Sequence, residues 1–592
     1  METNCGSINE EYIGKSVELY GWCRYIRDHG GKLFIDLADK HGTVQLVFEG
    51  EIKTAADELG KEYVVKIAGK VERRDLDTID KENPTGKVEI YVASLDLISK
   101  AKIPPFELIE EKKKFLANEE LRFEYRYIDL RRPEMVKNVV FRDRVTKSIR
   151  KYFWDNDFME LETPTLIRDT YETGSKTFLV PSRTMRGEFY SLPQSPQLYK
   201  QMCMIAGLEK YFQIARCYRD EDPREDRQPE FTQVDIEVSF KDETYIQGLM
   251  ERMFQRVFKE VLNKDLKLPF RHMSFRDAIQ TYGSDKPDLR YDSKIFDITE
   301  DVTDTDYNIL KRVIENGGRV KAIAFDAHYG DAKSKINKNY MLKIIEFAKG
   351  LGLRGLTWLY VEHNAIASEP ESIAYSLKDC EKRIRDRLGA GNGDLVIIGA
   401  DLSEKLLLES LGKVRKIICD DMGNQKTDFA FLWINEFPMF EKDEITGKYK
   451  SSHNPFTSPI KEHYPLLDTD PEKVVSRQYD LVLNGIELGS GSIRITDPEI
   501  QRKIFKIMGT TDKNIDKTFG FVINALSYGT PIHGGIALGL DRTVALLAGG
   551  GNMKDFLLFP KNKRFELLVD GAPTKIDGKR LKDDFGINMD ID

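Results

Sequence analysis

The stretch YRDEDPREDRQPEFTQ, residues 218–233, decides how this chain is interpreted, because it sets arginines, carboxylates and the aromatic ring of Phe231 between two strand-like runs. The run before it is KYFQIA at 210–215, and the run after it, VDIEVSF at 234–240, alternates apolar and polar residues with the period of a strand. A strand–loop–strand that carries arginine suits a triphosphate, since the guanidinium group offers a rigid two-pronged fork to phosphate oxygens. Taken alone, the stretch is equally compatible with a solvated, charged hairpin.

Two other segments carry comparable chemistry. GLDR at 539–542 precedes the apolar, helix-like run TVALL, and an arginine at the entry of a buried helix is costly unless an anion meets it. Upstream, ELETPTL at 160–166 ends an amphipathic helix whose apolar positions include Val145, Ile149 and Phe153. These segments favour an anionic ligand over a solvated hairpin.

In chain order, the three segments resemble motifs 1, 2 and 3 of the class II aminoacyl-tRNA synthetases. QSPQLYK at 194–200 and GSDKPDLR at 283–290 are similar to the aspartyl enzymes of the bacterial type, and the resemblance runs across almost the whole chain. It implies a ligase that activates L-aspartate with ATP to aspartyl-adenylate and then transfers the aspartyl group to the 3′ end of tRNA(Asp). It also implies an α+β multidomain fold with an N-terminal OB-fold β-barrel, a class II catalytic domain of antiparallel sheet and helices, and an inserted α/β domain.

The composition is ordinary for a globular protein: 592 residues, enough for about three or four domains, with 41% hydrophobic and 32% charged side chains. No run approaches the roughly 20 apolar residues that span a membrane, and no secretory signal is visible. The six cysteines are scattered without a CxxC pair, which argues against a zinc finger or a disulfide framework. A cytoplasmic protein without a membrane or DNA partner is the expectation. The net charge of −8 does not itself indicate nucleic-acid binding, but local surface can still recognise RNA.

Turn signals and composition divide the chain into segments. Five short runs in about ninety residues suggest a small barrel such as an OB-fold, with any other small β-domain as the alternative. An insert in which no motif carries chemistry separates the two halves of the catalytic pattern. The expected segments are 1–105 for the OB-fold anticodon-binding domain, 106–135 for a charged hinge, 136–285 for the first catalytic part with motifs 1 and 2, 286–425 for the inserted domain, and 426–592 for the second catalytic part with motif 3 and a C-terminal extension.

A candidate set for reading bases lies in the first segment, because aromatic faces stack on unpaired bases while Arg and Gln bond base edges. Its members are Arg24, Arg27, Phe34 and Gln45. The family resemblance implies anticodon contacts at four positions, which are Arg27, Phe34, Gln45 and Glu89. Phe34 lies in an alternating run, so a place in the barrel core is the alternative.

The turn RDHGG at 27–31 bears on the choice of tRNA. Some aspartyl enzymes of this type also charge tRNA(Asn), and those often carry His-Gly where strict enzymes have a bulkier apolar residue. His29 and Gly30 therefore predict a relaxed enzyme that accepts tRNA(Asn) as well as tRNA(Asp). An ordinary loop residue is the alternative for His29.

The implied reaction needs no covalent nucleophile, and catalysis would come from orientation and charge stabilisation at an in-line phosphoryl centre. The resemblance gives Arg219 the α-phosphate and Arg542 the γ-phosphate, with Glu487 as the third catalytic residue. Glu221 would bond the adenine amino group or orient ATP, and Phe231 would stack on the adenine ring. The implied ATP-binding set is Arg219, Asp220, Glu221, Gln228, Phe231, Glu487, Gly539, Leu540, Asp541 and Arg542.

Mg²⁺ is expected to help hold ATP, which carries about four negative charges. Asp480 and Glu487 are the carboxylates that match the family's metal ligands. A surface acid is the alternative for each, although the strand-like setting YDLVL at 479–483 favours a buried ligand.

The side-chain carboxylate of aspartate calls for a cationic pocket, and Lys200 and Arg494 are the matching positions. An unpaired buried cation is costly, so bound aspartate would relieve a built-in penalty, which the neutral amide of asparagine could not do. A plain surface lysine is the alternative for Lys200. The implied aspartate-binding set is Glu172, Ser195, Gln197, Lys200, Asp235, His453 and Arg494, in which Ser195, Gln197 and Asp235 would accept from the ammonium group.

The chain departs from the family pattern at three places. Asn454 follows His453 where the family commonly has a second histidine, so any role that needs an imidazolium there is in doubt. The loop at 170–177 differs from the family's lid except for a match at Glu172. Lys554 stands where the family frequently has arginine, so the positive charge is kept but the two-pronged guanidinium group is lost.

Two alternatives stand beside an aspartyl ligase. An asparaginyl or lysyl ligase is disfavoured by the cationic pair, and a synthetase-derived protein that binds RNA or regulates without catalysis is disfavoured because the motif arginines and metal carboxylates are present. Motif 1 helices of this class usually form a dimer interface, and Pro164 matches the motif's proline. A homodimer is therefore expected.

Overall fold

The computed structural model describes residues 3–108, 117–170, 176–223, 227–327, 336–443 and 445–588. The chain divides into two compact units, the first made of residues 1–147, 222–229 and 544–592 and the second of residues 148–221 and 230–543. Strands and helices are numbered in chain order. Two helices contribute residues to both units, and these are α4, Pro133–Asp155, and α16, Leu540–Leu547. Among the described helices, none has the length and apolarity needed to cross a membrane.

The first unit contains a closed barrel of five strands. The bounds are β1 Ser16–Asp28, β2 Lys32–Asp39, β3 Gly42–Glu49, α1 Glu51–Ala56, β4 Val64–Arg73 and β5 Val88–Ser99. The strand order is β1-β2-β3-β5-β4, and alternate positions such as Ile35, Leu46 and Ile67 are buried in the barrel core. This five-stranded barrel confirms the expected OB-fold.

A buried arginine organises the residues that follow the barrel. The guanidinium group of Arg126, 1% exposed, lies 2.5 Å from Asp129 and donates to the carbonyl oxygens of Lys554 (3.1 Å) and Leu557 (2.7 Å). These partners offset the cost of burying the charge. Lys554 is itself buried and places its Nζ 2.7 Å from Glu119, so lysine at this position still finds a carboxylate. Three further helices of the unit are α2 Glu119–Glu124, α3 Arg126–Asp129 and α17 Gly578–Arg580.

The second unit is built on an eight-stranded sheet. Its strands are β6 Met159–Glu160, β9 Lys210–Tyr218, β10 Glu230–Ser239, β11 Arg271–Ser274, β17 Phe431–Asn435, β20 Gln478–Leu483, β21 Ile486–Ile493 and β22 His533–Gly539. The order is β11-β17-β20-β21-β22-β10-β9-β6, in which the six central strands pair antiparallel and the edge strands β11 and β6 pair parallel to their neighbours. The expected antiparallel catalytic sheet is confirmed.

Helices and two short hairpins flank this sheet. The helices are α5 Gln197–Ile205, α6 Glu243–Val257, α7 Phe275–Tyr282, α13 Leu466–Thr469, α14 Pro498–Ile507 and α15 Asp512–Leu526; the hairpins pair β7 Leu179–Pro181 with β8 Phe189–Ser191 and β18 Phe440–Lys442 with β19 Tyr449–Ser451. The rings of Phe505 and Phe519 stack 4.6 Å apart, and Phe456 meets the Phe519 ring edge-on at 5.8 Å. This aromatic cluster anchors the loop that carries His453.

The segment between β11 and β17 adds a separate five-stranded sheet to the second unit. Its elements are β12 Ile295–Asp297, α8 Asn308–Glu315, β13 Arg319–Phe325, α9 Lys338–Gly350, β14 Leu356–Glu362, β15 Ala365–Ala367, α10 Glu371–Ser376, α11 Glu381–Leu388, β16 Leu395–Asp401 and α12 Glu404–Met422. Leu395 and Ile397 belong to a core with α9 and α12, whereas Val396 and Ile398 belong to a core with α8 and α11. Both faces are covered, which explains why the run DLVIIG is continuously apolar.

Candidate active site

One register row of the eight-stranded sheet brings distant polar residues to the same face. Asp235 on β10 pairs with Ala537 on β22, Ala537 pairs with Ser490 on β21, and Ser490 pairs with Asp480 on β20. Residues directly opposite each other in antiparallel strands share a face, so Asp235, Ser490 and Asp480 point to one side of the sheet.

The next row continues the same face. Glu237 pairs with Gly535, which pairs with Ser492. A Cβ atom at Gly535 would lie 2.2 Å from Glu237 Oε2, so glycine is the residue that leaves room for this carboxylate. The alternating residues Val234 and Ile236 are buried on the opposite face, and the polar face of β10 is buried as well. The alternation in the sequence therefore marks a site and not a solvated strand.

Four ionisable side chains meet in the resulting pocket without exposure to solvent. Lys200 on α5 places its Nζ 3.1 Å from Asp235 and 3.3 Å from Glu237. The Arg494 guanidinium group forks onto Glu237 with distances of 2.8 and 3.2 Å and donates to Ser492 Oγ at 2.5 Å. Lys200 is 0% exposed, which excludes a surface lysine.

The expectation that Lys200 and Arg494 are unpaired cations is wrong, because Glu237 binds both of them. Burial favours the neutral acid, yet Arg494 and Lys200 outweigh it and lower the pKa of Glu237. Burial raises the pKa of Asp235 despite Lys200. Sequence reasoning missed Glu237, although its position two residues after Asp235 on an alternating strand placed it on the same face.

Unused hydrogen-bonding atoms line this cluster. Asp235 Oδ2 is buried and has no hydrogen-bond partner among the described residues, which suits a ligand ammonium group. In the same part of the structure, the Nε2 atoms of Gln197 and Gln201 are buried donors without such partners. Ser195 Oγ accepts from the backbone N–H of Gln197 at 3.4 Å, at the start of α5. Gln201, one helical turn after Gln197, was not expected from the sequence.

Arg219 and Phe231 form the neighbouring part of the site. The Arg219 guanidinium carbon lies 5.0 Å from the centre of the Phe231 ring, and its buried Nε has no hydrogen-bond partner within the described part of the chain. The ring holds the cation in place while leaving guanidinium donors for a phosphate. After the end of β9, Asp220 is exposed and Glu221 is half-buried.

The GLDR segment joins β22 to α16 and makes hydrogen bonds to two other strands of the site. Gly539 ends β22 and Leu540 begins α16. Asp541 Oδ2 accepts from the backbone N–H of Thr232 on β10 at 2.9 Å. Arg542, exposed, donates to the backbone carbonyl of Glu487 on β21 at 2.8 Å. The bond to Glu487 uses one nitrogen of the Arg542 guanidinium group, and the side chain remains exposed.

Gln228 and Glu172 are two further residues of the expected ligand sets. Gln228 belongs to the first unit, where its Nε2 donates to the Lys561 carbonyl at 3.0 Å and its Oε1 accepts from the Lys561 backbone N–H at 2.8 Å. Its amide is thus used by the protein itself. Glu172 lies outside the described residues.

A β-bulge brings the two candidate metal ligands together. Leu481 pairs with Gly489, but Val482 pairs with Glu487, so Leu488 is the extra residue and Glu487 turns to the face that carries Asp480. Burial and the neighbouring Glu487 raise the pKa of Asp480 to about 7. Burial also acts on Glu487, but Lys286, with its Nζ 2.8 Å from Glu487 Oε2, lowers the pKa of Glu487.

This carboxylate pair fits Mg²⁺. Two like charges held together in a buried site favour a cation, and Mg²⁺ commonly takes one or two protein carboxylates with phosphate and water oxygens. Among the described residues, no group of three or more His, Cys, Asp or Glu side chains is arranged to hold a metal ion.

His453 and Asn454 have different roles in the loop that precedes the aromatic cluster. Desolvation and the Arg494 guanidinium group lower the pKa of His453 to about 4. Asn454 Oδ1 accepts from the backbone N–H of Phe456 at 2.9 Å, which makes an Asx turn. Asn454 thus shapes the loop, and the imidazole of His453 is neutral at physiological pH.

We expect His453 to remain neutral from pH 8 down to about pH 5, because a pKa lowered to about 4 places its titration below that range. The measurement is a histidine ¹⁵N NMR titration in which His453→Gln identifies the resonance. A midpoint near the ordinary value of 6.5 would contradict the electrostatic environment described here.

The candidate base-reading residues form a polar row on the barrel surface. Arg27 donates to Asp36 (2.6 Å) and Gln45 (3.2 Å), and Gln45 Nε2 donates to Glu89 at 2.8 Å. Phe34 is half-buried outside the barrel core, so its ring can meet a base. The rings of Phe34 and His29 pack edge to face, with their centres 5.6 Å apart.

Arg24 does not belong to this surface. It is 8% exposed, lies 3.2 Å from Glu62 and donates to the Arg131 carbonyl at 2.9 Å. The prediction that Arg24 reads bases is therefore wrong. Buried and more exposed positions alternate along β1 as far as Cys23, and Arg24, which would be an outward position, is buried where the pairing becomes irregular between Cys23 and Ile26. The sequence alone does not show that irregularity.

Similarity to known proteins agrees with this geometry. Residues 118–563 match the family of tRNA synthetases class II (D, K and N), and residues 17–98 match the OB-fold nucleic acid binding domain of the anticodon-binding type. The aspartate–tRNA(Asp/Asn) ligase of Geobacillus sp. strain WCH70 is 44% identical over 98% of this chain and 96% of its own length. The aspartate–tRNA ligase of Clostridium botulinum strain Eklund 17B is 43% identical over 98% of this chain and 95% of its own length.

A solved structure shares the fold. The asparaginyl-tRNA synthetase of Entamoeba histolytica, in complex with asparaginyl-adenylate, has a TM-score of 0.59 and 18% identity over 95% of this chain and 98% of that chain. With the matched family, the barrel and the antiparallel catalytic sheet, the conclusion follows that the chain belongs to the class II tRNA synthetases of the D, K and N group.

Proposed function

We propose that this chain is an aspartate–tRNA ligase. The observation that carries the proposal is the buried cluster in which Lys200 and Arg494 share Glu237 while Asp235 Oδ2 has no described hydrogen-bond partner. The cations would bind the side-chain carboxylate of aspartate, and Asp235 would accept from its ammonium group. Relatives named aspartate–tRNA ligases, 40–44% identical over 98% of this chain, support the same substrate.

The reaction would proceed in two displacements. The α-carboxylate of aspartate attacks the α-phosphorus of ATP, the bond to the β-phosphate breaks, and pyrophosphate leaves. A hydroxyl of the tRNA 3′-terminal ribose then attacks the aspartyl carbonyl carbon, and AMP leaves. Arg219 would stabilise the charge that builds on the α-phosphate, and Arg542 would hold the far phosphates. Phe231 would stack on adenine. Mg²⁺, held by Asp480 and Glu487, would neutralise phosphate charge.

Asparagine and lysine are poorer substrates for this pocket. The neutral amide of asparagine cannot form the charge-assisted hydrogen bonds that a carboxylate would form with Lys200 and Arg494, and the ammonium group of lysine would meet two cations of the same sign. A protein without catalysis has no need for the buried four-charge cluster. The cytoplasm, which holds tRNA and ATP, is the location that goes with the proposed activity.

We further propose that the enzyme charges tRNA(Asn) as well as tRNA(Asp). His29 lies in the turn between β1 and β2, one of the loops with which OB-folds bind nucleic acids. Its ring packs edge to face with the ring of Phe34. Four relatives, including that of Geobacillus, carry the name aspartate–tRNA(Asp/Asn) ligase, and four others carry the name aspartate–tRNA ligase.

The test is aminoacylation of purified tRNA(Asp) and tRNA(Asn) with labelled aspartate, ATP and Mg²⁺. The wild-type enzyme is expected to charge both, and His29→Leu to lower kcat/KM for tRNA(Asn) about five- to tenfold while changing tRNA(Asp) less than about twofold, because one aromatic edge contact is lost. Charging of tRNA(Asp) alone would overturn the relaxed specificity, and equal charging of both tRNAs by His29→Leu would overturn the role of His29 in it. Charging of neither tRNA would overturn the ligase itself.

We also propose a homodimer built on motif 1. Exposed apolar side chains occur on the edge strand β6 and close to it in sequence, among them Trp154 (55% exposed), Met159 (40%) and Leu166 (52%). Exposed apolar side chains this near to Pro164 in sequence favour a surface that a second copy of the chain covers.

Sedimentation at micromolar concentration is expected to give twice the chain mass of 68.2 kDa. Trp154→Glu should shift the protein to the monomer, because a buried unpaired carboxylate at an interface is costly. Tyr528→Glu is the control, since Tyr528 is a 75% exposed aromatic residue elsewhere in the second unit. A monomeric wild-type protein would contradict the proposal.

A further inference from the structure

The GSDKPDLR segment at 283–290 reaches into the site, although the proposed reaction assigns it no role. Lys286 comes from this segment and places its Nζ 2.8 Å from Glu487 Oε2, at the candidate metal pair. Its own neighbour Asp285 is farther away, at 3.5 Å. The pairing with Glu487 is therefore the closer of the two ion pairs that Lys286 makes here.

The inserted sheet's helix α12 holds the start of this segment. Gly283 ends α7 with φ +66°, and a Cβ atom there would lie 2.1 Å from the Leu408 carbonyl oxygen, so the backbones of α7 and α12 touch. Arg415 on α12 is 2% exposed and donates to the carbonyls of Asp288 (2.9 Å) and Ser293 (2.6 Å).

The hairpin that carries the metal pair holds the other side of the segment. Gly485 forms the β20–β21 turn with φ +78°, and a Cβ atom there would lie 3.0 Å from Asp288 Cβ. Ser284 Oγ accepts from the backbone N–H of Lys286 at 3.0 Å. The position of Lys286 is thus set by α12 on one side and by the hairpin on the other.

The charges explain why a lysine belongs there. Asp480 is 4% exposed and Glu487 faces it, so two carboxylates share a site in which their repulsion is poorly screened. The ammonium group of Lys286 partly neutralises this pair. A divalent cation that approached the pair would meet both the attraction of the carboxylates and the repulsion of Lys286.

We propose that Lys286 is the resident cation of the Asp480–Glu487 pair, which it neutralises before nucleotide binding and from which it repels a divalent cation that arrives without a triphosphate. The inference rests on the proposed function only in taking this pair as the metal ligands. A triphosphate would give the ammonium group new oxygen partners, so the metal and ATP would bind together. Lys286 is a positioning residue, and α12 gives the inserted segment a part in the site.

The experiment measures binding of Mn²⁺ alone, without nucleotide, by EPR of the free ion. Lys286→Met is expected to bind Mn²⁺ at least about tenfold more tightly than the wild type, because the repulsive charge at the pair is gone. Lys286→Arg keeps the charge and should stay within about twofold of the wild type. The double variant Lys286→Met, Asp480→Asn should lose the gain, which assigns it to this pair.

An unchanged Mn²⁺ affinity in Lys286→Met, or an equal gain in Lys286→Arg, would overturn the proposal. Lys286→Gln is the second neutral variant should the methionine variant not fold, and the side chain is 38% exposed, which favours folding of both. Because the binding experiment uses neither aspartate nor tRNA, its result is independent of aminoacylation. If the wild type charges no tRNA but Lys286→Met shows the expected gain in Mn²⁺ affinity, the ligase is refuted and this inference stands.

Discussion

Replacing Arg219 by alanine is expected to lower kcat for aspartate-dependent ATP–pyrophosphate exchange on the order of 10²- to 10³-fold. The Arg219 guanidinium group packs on Phe231 and keeps a buried Nε without a described hydrogen-bond partner, so its donors are aimed and ready for phosphate oxygens. A charge that builds at the α-phosphate in the transition state would lose this stabilisation, and the loss would appear in kcat more than in the KM for ATP.

The matched control for this prediction is Arg216→Ala. Arg216 lies on β9, three residues before Arg219, where it is exposed and paired with Glu230. Exchange by this variant should stay within about threefold of the wild type, since exposed ion pairs contribute little. Equal losses in both variants would mean that positive charge near the hairpin, and not the placement of Arg219, drives catalysis.

Replacing Glu237 by glutamine is expected to lower the free energy of unfolding by about 3–5 kcal/mol and to abolish measurable aspartate activation. Removal of this carboxylate leaves Lys200 and Arg494 buried with Asp235 as their nearest remaining acid. The two cations would then repel each other without a shared partner, and the pocket would lose the geometry that the fork on Glu237 imposes. Denaturant unfolding and pyrophosphate exchange measure the two effects.

The stability difference should also depend on pH. The pKa of Glu237 is lowered, so its charge stabilises the fold above its ordinary value of 4.5, and this contribution is lost as pH falls through the lower folded pKa. The gap between wild type and Glu237→Gln should therefore narrow below about pH 4.5. Glu230→Gln, on the same strand in a half-exposed pair, should change stability by less than about 1 kcal/mol. Comparable losses in both variants would contradict the special role of the buried cluster.

Several features of this protein follow from local sequence. The alternating run at 234–240 predicts a strand, and the runs in the first hundred residues predict a barrel, because side-chain direction alternates with each residue of a strand. The arginines at 219 and 542 indicate phosphate chemistry by residue type and setting, whereas the carboxylates at 480 and 487 are indicated as metal ligands by the resemblance to the class II synthetases. These are short-range properties, and the structure has the expected strands and helices at these places.

The partners of those residues were decided by the tertiary structure alone. Glu237 meets Arg494, which lies 257 residues later in the chain. Lys286 meets Glu487 because the segment at 283–290 is held between α12 and the turn at Gly485. The bulge at Leu488 turns Glu487 toward Asp480, and the irregular pairing in β1 accompanies the burial of Arg24. Register, bulges and helix contacts arise when segments far apart in sequence pack together, and no local pattern contains that information.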